Sequence, residues 1–282
     1  MQSTMTPVAS SNRIDTTFAR LRAEGRKAFV AYITAGDPNL DTTPSLVYAL
    51  EEAGVDVVEL GVPFSDPLAD GVVNQLAAQR ALEAGTTLSG ILDTVRLIRK
   101  KSTIPLVLFT YLNPLLRYGM EKFSQDAESA GVDGVLILDL PPEEIVGDMG
   151  LPESSPLRRI SLIAPTSPEQ RVAAIAGASS GFIYYVLREG VTGMRSDIPP
   201  AVSQRLDEIR RYSDVPVCVG FGISTPDQAR AMAAWADGII IGSALVARVA
   251  EWGARPRDAQ PSLPDLLRAF AKPLADAIHG VA

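Results

Sequence analysis

The chain has 282 residues, of which 46% are hydrophobic and 21% charged, and it contains a single cysteine, Cys218. This composition is typical of an ordinary globular protein, and the length suits one large domain. The net charge of −7 disfavours nucleic acid or an anionic membrane as the main partner, and one cysteine excludes an internal disulfide and a multi-cysteine metal site. No apolar stretch is long enough to span a membrane, so we expect a cytoplasmic protein.

The two ends of the chain predict a simple domain organisation. Residues 1–12 are polar and lack the apolar core of a signal peptide, so we predict a flexible N-terminal tail. Residues 13–282 are predicted to form a single barrel domain. The Pro-rich stretch "EWGARPRDAQPSLP" is interpreted as a loop before a last helix and not as a linker between domains.

Short apolar runs alternate with segments of helical periodicity along this domain. Runs that are apolar on both faces indicate parallel strands covered by helices. Eight such units favour an α/β fold of the (β/α)8 TIM barrel type, with extra N-terminal and inserted helices. An open, doubly wound sheet is the alternative. The eight predicted strands begin near Phe29, Asp56, Pro105, Gly134, Ile160, Gly181, Val215 and Gly238.

Several predicted helices have recognisable starts. The stretches "SPEQ" and "TPDQ" place a Ser or Thr cap before Pro and a polar residue three positions after the cap, which is a capping pattern. The segment from Val72 to Lys101, after the second strand, is predicted to hold two helices. The stretch "GSALVARVAE" predicts a short helix that begins at Ser243.

The second strand contains a carboxylate where its pattern predicts burial. In "VDVVELGV", Val57, Glu59 and Gly61 share one face because alternate residues of a strand point the same way. If the bulkier aliphatic face packs against helices, Glu59 points into the barrel near the carboxyl end of the strand, where barrel active sites form. Two interpretations stay open: a proton-transfer group with a raised pKa, or a glutamate neutralised by an arginine or by backbone amides.

Asp70 lies in the loop after the same strand and would bring a second carboxylate to the same mouth. Alone, a loop aspartate is more often a turn residue. Other chemistry-bearing groups are few, because the one histidine, His279, is near the C-terminus and none of the five lysines falls at the carboxyl end of a strand. We therefore expect no Schiff-base lysine, histidine metal site or Ser-His-Asp triad, and expect carboxylates and tyrosines to carry the protons.

Glycines cluster where the last three strands end, in "REGVTG", "VGFGIS" and "IGSALV". Glycine lets backbone N–H groups approach an anion, and the loops after strands seven and eight of such barrels usually bind phosphate together with a helix N-terminus. These glycines predict a phosphate site, with plain turns as the alternative. The stretch Arg188–Arg195 is predicted to be a mobile flap.

At these motifs the sequence resembles the alpha chain of tryptophan synthase. The resemblance rests on "AYITAGDP", "ELGVPFSDPLADGVVNQ", "FTYLNPL", "GVDGVLILDLPPEE", "YYVLREGVTG", "GFGIS" and "GIIIGSALV", and it covers nearly the whole chain after the tail. It implies a carbon–carbon lyase that cleaves indole-3-glycerol phosphate to indole and glyceraldehyde 3-phosphate without a metal or cofactor in this chain. The sequence departs from the family at Leu187, where many members have a small polar residue.

The resemblance also implies roles for individual residues. Glu59 is implied as the acid and base at the indole C3, Asp70 as the group that holds the indole N–H, and Tyr184 as a side chain near the glycerol hydroxyl. Thr192 in the flap would contact Asp70. Phosphate contacts are implied for Gly193, Gly222, Gly242 and Ser243, and walls of the indole pocket for Tyr32, Phe109, Leu136, Leu162 and Phe221.

A partner is implied by the resemblance as well. It is a tryptophan synthase beta subunit that carries pyridoxal phosphate, receives the indole and joins this chain in an α2β2 heterotetramer. Asp66, Pro67, Asn113 and Pro114 would lie at the interface, although Asp66 suits a turn equally well. Three other interpretations stay open: a lyase that works alone and releases indole, a sugar-phosphate isomerase that uses Glu59 as its base, and a non-catalytic phosphate-binding module.

Overall fold

The computed structural model describes residues 12–144, 150–187, 200–220, 222–254 and 261–280. Eight parallel strands close into a barrel in sequence order, with β8 returning to pair with β1. This confirms the predicted TIM barrel and excludes the open sheet. The strands are β1 Ala28–Thr34, β2 Val57–Gly61, β3 Leu106–Thr110, β4 Gly134–Ile137, β5 Arg158–Ile163, β6 Ile183–Val186, β7 Val217–Gly220 and β8 Gly238–Ile241.

Helices surround the barrel, and eleven of them lie in the described ranges. The two helices predicted after the second strand are α3 and α4, and the helix predicted at Ser243 is α10. Between β4 and β5 the described residues contain only a short 3-10 helix, Pro142–Glu144. The α-helices are α1 Arg13–Ala23, α2 Thr43–Ala53, α3 Val72–Glu83, α4 Leu88–Arg99, α5 Leu112–Tyr118, α6 Met120–Ala130, α7 Glu169–Ala178, α8 Pro200–Arg210, α9 Pro226–Ala233, α10 Ser243–Gly253 and α11 Leu263–His279.

The two predicted capping patterns have different outcomes. At "TPDQ" the Thr225 hydroxyl accepts from the Gln228 N–H at 3.3 Å, and the Gln228 side chain accepts from the Thr225 N–H at 3.2 Å, which completes a capping box. At "SPEQ" the prediction is wrong by one residue. Helix α7 begins at Glu169 with Pro168 at the cap position, because the Ser167 hydroxyl accepts from the Ala164 N–H in the turn before the helix.

Strand alternation separates two apolar layers. One lies between the strands and the outer helices, and the other fills the lower part of the barrel. Helix α1 joins the inner layer through Ile14, Phe18 and Leu21, and the Phe18 ring packs 5.7 Å from that of Phe182. Helix α1 therefore seals the amino-terminal end of the barrel. The inner strand residues of this layer are Ala28, Val30, Val57, Val107, Leu136, Ile160, Cys218 and Ile240.

The single histidine belongs to a polar network at this sealed end. His279 Nε2 lies 2.8 Å from Asp56 Oδ2, and His279 Nδ1 lies 2.8 Å from Arg26 Nη2. An arginine side chain can only donate hydrogen bonds, so Nδ1 must accept and the ring proton must sit on Nε2. His279 thus ties the last helix, α11, to Asp56 and Arg26 at the sealed end of the barrel.

Candidate active site

A cavity of about 510 Å³ opens at the carboxyl-terminal end of the barrel strands. It combines residues from five strands (β1, β2, β3, β6 and β8), from the loop after β7, from the start of α3 and from the start of α10. This is the end at which barrel enzymes build their active sites. The lining residues are Tyr32, Glu59, Gly71, Val72, Val73, Asn74, Phe109, Tyr184, Gly222, Ile223, Ile240, Gly242 and Ser243.

Glu59 is the one acidic or basic side chain among the described residues that line this cavity. It lies in the middle of β2, in register with Tyr32 of β1 and Val107 of β3. Its side chain is completely buried, and no described residue gives either carboxylate oxygen a hydrogen bond. Burial raises the pKa of Glu59 to about 8, so the group is protonated at neutral pH. Pairing with an arginine or with backbone amides, which the sequence left open, is excluded within the described part of the chain.

Asp70 lies half-buried on the loop between β2 and α3. The Tyr111 hydroxyl donates to Asp70 Oδ2 at 2.8 Å, and the Ala69 N–H donates to that same hydroxyl at 2.9 Å. Burial raises the pKa of Asp70 above its usual value, and hydrogen bonds from the Tyr111 and Asn74 side chains offset part of this rise. The two carboxyl groups therefore differ in environment: Glu59 has no donor in the described structure, and Asp70 has donors that favour its ionised form.

Aromatic rings form the walls above Glu59. The rings of Tyr32 and Phe109 meet edge to face, with centroids 5.1 Å apart and planes at 74°. Tyr184 belongs to the inner face of β6, whereas Tyr185 packs in the outer apolar layer. Burial raises the pKa of Tyr32 and of Tyr184, and the charge of Asp70 adds to the rise at Tyr32, so both phenols keep their protons.

The far side of the cavity is built mainly from backbone. Gly242 precedes α10, and no side chain caps that helix, so the N–H groups of its first turn are not occupied by a capping side chain. Gly222 has φ of +66°, a left-handed conformation that favours glycine. An uncapped helix N-terminus next to a glycine loop is a general anion site. No lysine or arginine is among the described residues that line this cavity.

The structure brings seven of the predicted site residues to one cavity. Leu136 is instead fully buried in the inner apolar layer, and Leu162 lines a separate crevice of about 150 Å³ between β4, β5 and α7. Leu187 is buried in the outer layer, away from the cavity. The predicted residues Thr192, Gly193 and Phe221, and the flap Arg188–Arg195, lie outside the described residues. The seven residues on the cavity are Tyr32, Glu59, Phe109, Tyr184, Gly222, Gly242 and Ser243.

The residues predicted at a partner interface lie on the surface beside this mouth: Asp66 and Pro67 in the loop after β2, and Asn113 and Pro114 at the start of α5. Asp66 and Asn113 are exposed, and Pro67 and Pro114 are half-buried. The Asp66 carbonyl accepts from the Leu68 N–H at 3.0 Å, so Asp66 does take part in a turn. The adjoining surface is unusually apolar, with Leu68 85%, Val72 69% and Leu76 50% exposed. Exposed apolar patches of this kind are typical of protein interaction sites.

Sequence reasoning missed Tyr111 and Asn74. Tyr111 directly follows β3, and its place at the carboxyl end of a strand was a usable signal. Asn74 is a polar residue in the first turn of α3, where only the folded structure shows that it faces the cavity. Its Oδ1 is shielded from solvent and has no hydrogen-bond partner among the described residues.

The described residues lack two further features, a metal-binding cluster and a membrane-spanning helix. They contain no group of three or more His, Cys, Asp or Glu side chains arranged to hold a metal ion. None of the helices they form is both long and apolar enough to cross a membrane. A closed parallel barrel with a buried protonated carboxylate and an uncapped helix N-terminus at one cavity is typical of the class of barrel enzymes.

Comparison with known proteins identifies the family within this class. The family model of the tryptophan synthase alpha chain matches residues 18–277. The alpha chain from Geotalea daltonii is 53% identical over 234 residues, which are 83% of this chain and 89% of that one. The chain belongs to the tryptophan synthase alpha chain family, and the predicted resemblance and lyase class are confirmed.

Solved structures agree with this assignment. Tryptophan synthase subunit alpha from Legionella pneumophila is similar with a TM-score of 0.85 and 37% identity, and the match covers 95% of this chain and 99% of that chain. A chain of tryptophan synthase from Mycobacterium tuberculosis is similar with a TM-score of 0.84 and 35% identity, covering 96% of this chain and 99% of that one. The similarity therefore spans the complete barrel.

Proposed function

We propose that this chain cleaves indole-3-glycerol phosphate to indole and glyceraldehyde 3-phosphate as the alpha subunit of a tryptophan synthase. The observation that carries the proposal is the state of Glu59: completely buried, without a donor in the described structure, and with a pKa raised to about 8. A group that is protonated at neutral pH, yet close to its pKa, can both give and take a proton.

Glu59 performs the proton transfers. Its proton goes to C3 of the indole ring, which turns the ring into a better leaving group. The carboxylate that remains takes the proton of the adjacent side-chain hydroxyl, the C3 to carbinol carbon bond breaks, and its electron pair returns to the ring. The products are indole and an aldehyde, and Glu59 ends protonated as it began.

Asp70 and the tyrosines support this step. Protonation at C3 places positive charge on the ring nitrogen, and an ionised Asp70 next to the cavity stabilises that charge by accepting the N–H. Tyr32 and Phe109 supply the apolar walls against which an indole ring packs. Tyr184 keeps its proton and therefore serves as a donor to the glycerol hydroxyl.

The substrate phosphate binds at the backbone side of the cavity. The first turn of α10, from Ser243, and the loop glycines Gly222 and Gly242 offer N–H groups and a helix dipole in place of a basic side chain. A protonated Glu59 suits this arrangement, because two ionised carboxylates would repel an anionic substrate from the same cavity.

We further propose that a beta subunit covers this mouth in an α2β2 assembly and receives the indole. The support is the exposed apolar surface of Leu68, Val72 and Leu76 beside Asp66, Pro67, Asn113 and Pro114. The pyridoxal phosphate of the overall synthesis belongs to that subunit, and this chain's half of the reaction requires no cofactor. Because the family is biosynthetic, we infer that it acts in the cytoplasm.

An indole-release assay tests the proposal. Purified chain is given indole-3-glycerol phosphate with and without a beta subunit, and indole and glyceraldehyde 3-phosphate are both quantified. We expect the two products in equal amounts and a turnover that rises when the beta subunit is added. High turnover by the isolated chain identifies a stand-alone lyase, and an isomerised substrate without indole, or bound substrate without any product, contradicts the proposal.

A further inference from the structure

The hydroxyl of Tyr111 joins the rigid barrel to the loop that carries Asp70. It donates to Asp70 Oδ2 at 2.8 Å and accepts from the Ala69 N–H at 2.9 Å, so one oxygen contacts two consecutive residues of the loop. Tyr111 directly follows β3 and is only 5% exposed. The loop residues around Asp70 are far more exposed, since Leu68 is 85% exposed. A buried side chain of the barrel thus fixes the position of the exposed loop that carries Asp70.

Neighbouring contacts fix Tyr111 itself. Its ring packs against that of Phe64 with centroids 5.3 Å apart, which ties the start of the same loop to the same side chain. The next backbone N–H, that of Leu112, donates to Asp139 Oδ1 at 2.7 Å. Tyr111 is therefore anchored on its backbone side by the loop after β4 and on its ring side by the loop after β2.

Few charged or titratable groups surround Asp70 in the described structure, so the hydrogen bond from Tyr111 is a main influence on its ionisation. The titratable groups that face it in the described structure are Tyr111, from the end of β3, and Tyr32, from β1. The Asn74 amide of α3 is the neutral polar neighbour. No described lysine, arginine or histidine forms an ion pair with Asp70. Within the described part of the chain, hydrogen-bond donors and not a cation offset the partial burial of this carboxylate.

We propose that Tyr111 is a positioning residue that orients Asp70 and keeps it ionised before substrate arrives. The inference rests on the proposed function, in which Asp70 accepts the indole N–H. An acceptor held in place and already charged does not have to be reorganised when positive charge develops on the ring. Tyr111 itself needs no contact with the substrate for this role, because Asp70 transmits its effect.

The test replaces Tyr111 by phenylalanine, which keeps the ring packed against Phe64 and removes one oxygen. We expect kcat/KM for indole release, with the beta subunit present, to fall roughly tenfold to a hundredfold, the range of a hydrogen bond to a charged group. The acidic limb of the pH profile of kcat/KM should move to higher pH. Loss of the donor raises the pKa of Asp70, so a higher pH is needed to ionise it.

Tyr118→Phe is the matched control. The Tyr118 hydroxyl also donates to an aspartate, Asp126, at 2.6 Å, but this pair lies on α5 and α6 away from the cavity. The same chemical change there should leave both kcat/KM and the acidic limb unchanged. A merely structural role for Tyr111 would lower the active fraction at every pH and would not displace the limb.

A measurement on the unliganded full chain separates this inference from the proposed function. The Asp70 side-chain carboxyl carbon is followed by 13C NMR against pH, and its signal is assigned by its absence in Asp70→Asn. We expect its titration to move to higher pH in Tyr111→Phe and not in Tyr118→Phe. This result would stand even if wild-type chain released no indole. An Asp70 titration and an acidic limb that are both unchanged in Tyr111→Phe overturn the inference.

Discussion

The hydroxyl of Tyr32 lies directly against Gly61, so that a Cβ at position 61 would stand 2.2 Å from the hydroxyl oxygen. Gly61 is the last residue of β2 and lies two positions after Glu59, which is the register partner of Tyr32 in the neighbouring strand β1. Tyr32 is only 7% exposed and has little room to move. The absence of a side chain at position 61 is what admits a tyrosine to the cavity wall.

Gly61→Ala should therefore displace Tyr32 and disturb the cavity. Forcing one carbon into a packed site costs about 1–3 kcal/mol, so we expect a lower midpoint in urea unfolding and a several-fold loss of indole release. Gly177→Ala, on α7, is the matched control because a Cβ there would meet nothing within 4 Å. Equal stability and turnover for Gly61→Ala and wild type would show that Tyr32 relaxes freely.

Glu59→Gln should abolish most cleavage and preserve binding. The amide has the shape of the protonated acid but cannot transfer a proton, and general acid–base catalysis contributes roughly 10²–10⁴-fold. We expect kcat to fall by about that factor and the dissociation constant of a non-cleaved phosphate analogue to stay within a few-fold. Glu128→Gln, an exposed change on α6, serves as control. Near wild-type turnover in Glu59→Gln would remove Glu59 from the mechanism.

The same substitution makes a prediction about stability. The pKa of Glu59 is raised from 4.5 to about 8 by burial, so between these pH values the folded chain holds a proton that the unfolded chain has lost. Rising pH therefore destabilises the wild type by up to about 1.4 kcal/mol per pH unit in this window through this one group. Glu59→Gln lacks this dependence.

Urea unfolding from pH 4.5 to 9 measures the effect. The stability of Glu59→Gln relative to wild type should grow as pH rises through the window and level off above about pH 8. Local opening that hydrates the ionised Glu59 side chain reduces this slope. A stability difference that does not change with pH would mean that Glu59 titrates normally in the folded chain.

A negative charge at the start of α10 should weaken substrate binding without harming the fold. Ser243→Asp places a carboxylate at the proposed phosphate site, where it repels the substrate but interacts favourably with the helix dipole. We expect KM to rise at least about tenfold while the thermal midpoint is unchanged or higher. Ser262→Asp, at the N-cap of α11, introduces the same group away from the cavity and should leave KM unchanged.

The sole histidine should matter for stability alone. His279 joins Asp56 and Arg26 at the sealed end of the barrel, and removing it leaves a largely buried carboxylate with one partner fewer. We expect His279→Ala to lower the free energy of unfolding by about 1–3 kcal/mol and to leave kcat/KM per folded molecule unchanged. A selective loss of turnover at unchanged stability would contradict this assignment.

Local patterns in the sequence predicted the barrel, from eight alternating strand and helix units, and the inward direction of Glu59, from the two-residue periodicity of one strand. They could not predict the contact of Tyr111 with Asp70, since the pairing of β2 with β3 brings together residues 41 positions apart. The raised pKa of Glu59 depends on which groups do not reach it, and only the folded chain shows that. Leu162 is a mixed case: it lies on its predicted strand, but it borders a neighbouring crevice and not the cavity whose wall it was predicted to form.

The closure of one barrel end by α1 restricts the path of substrate and product. Ile14, Phe18 and Leu21 close the amino-terminal end of the barrel. In the described part of the chain, substrate and product must therefore enter and leave through the same opening, at the carboxyl-terminal end. A protein that docks over that opening therefore determines where the product goes. A subunit seated on the apolar rim would turn an exit into solvent into a passage toward itself, without any change to the chemistry inside.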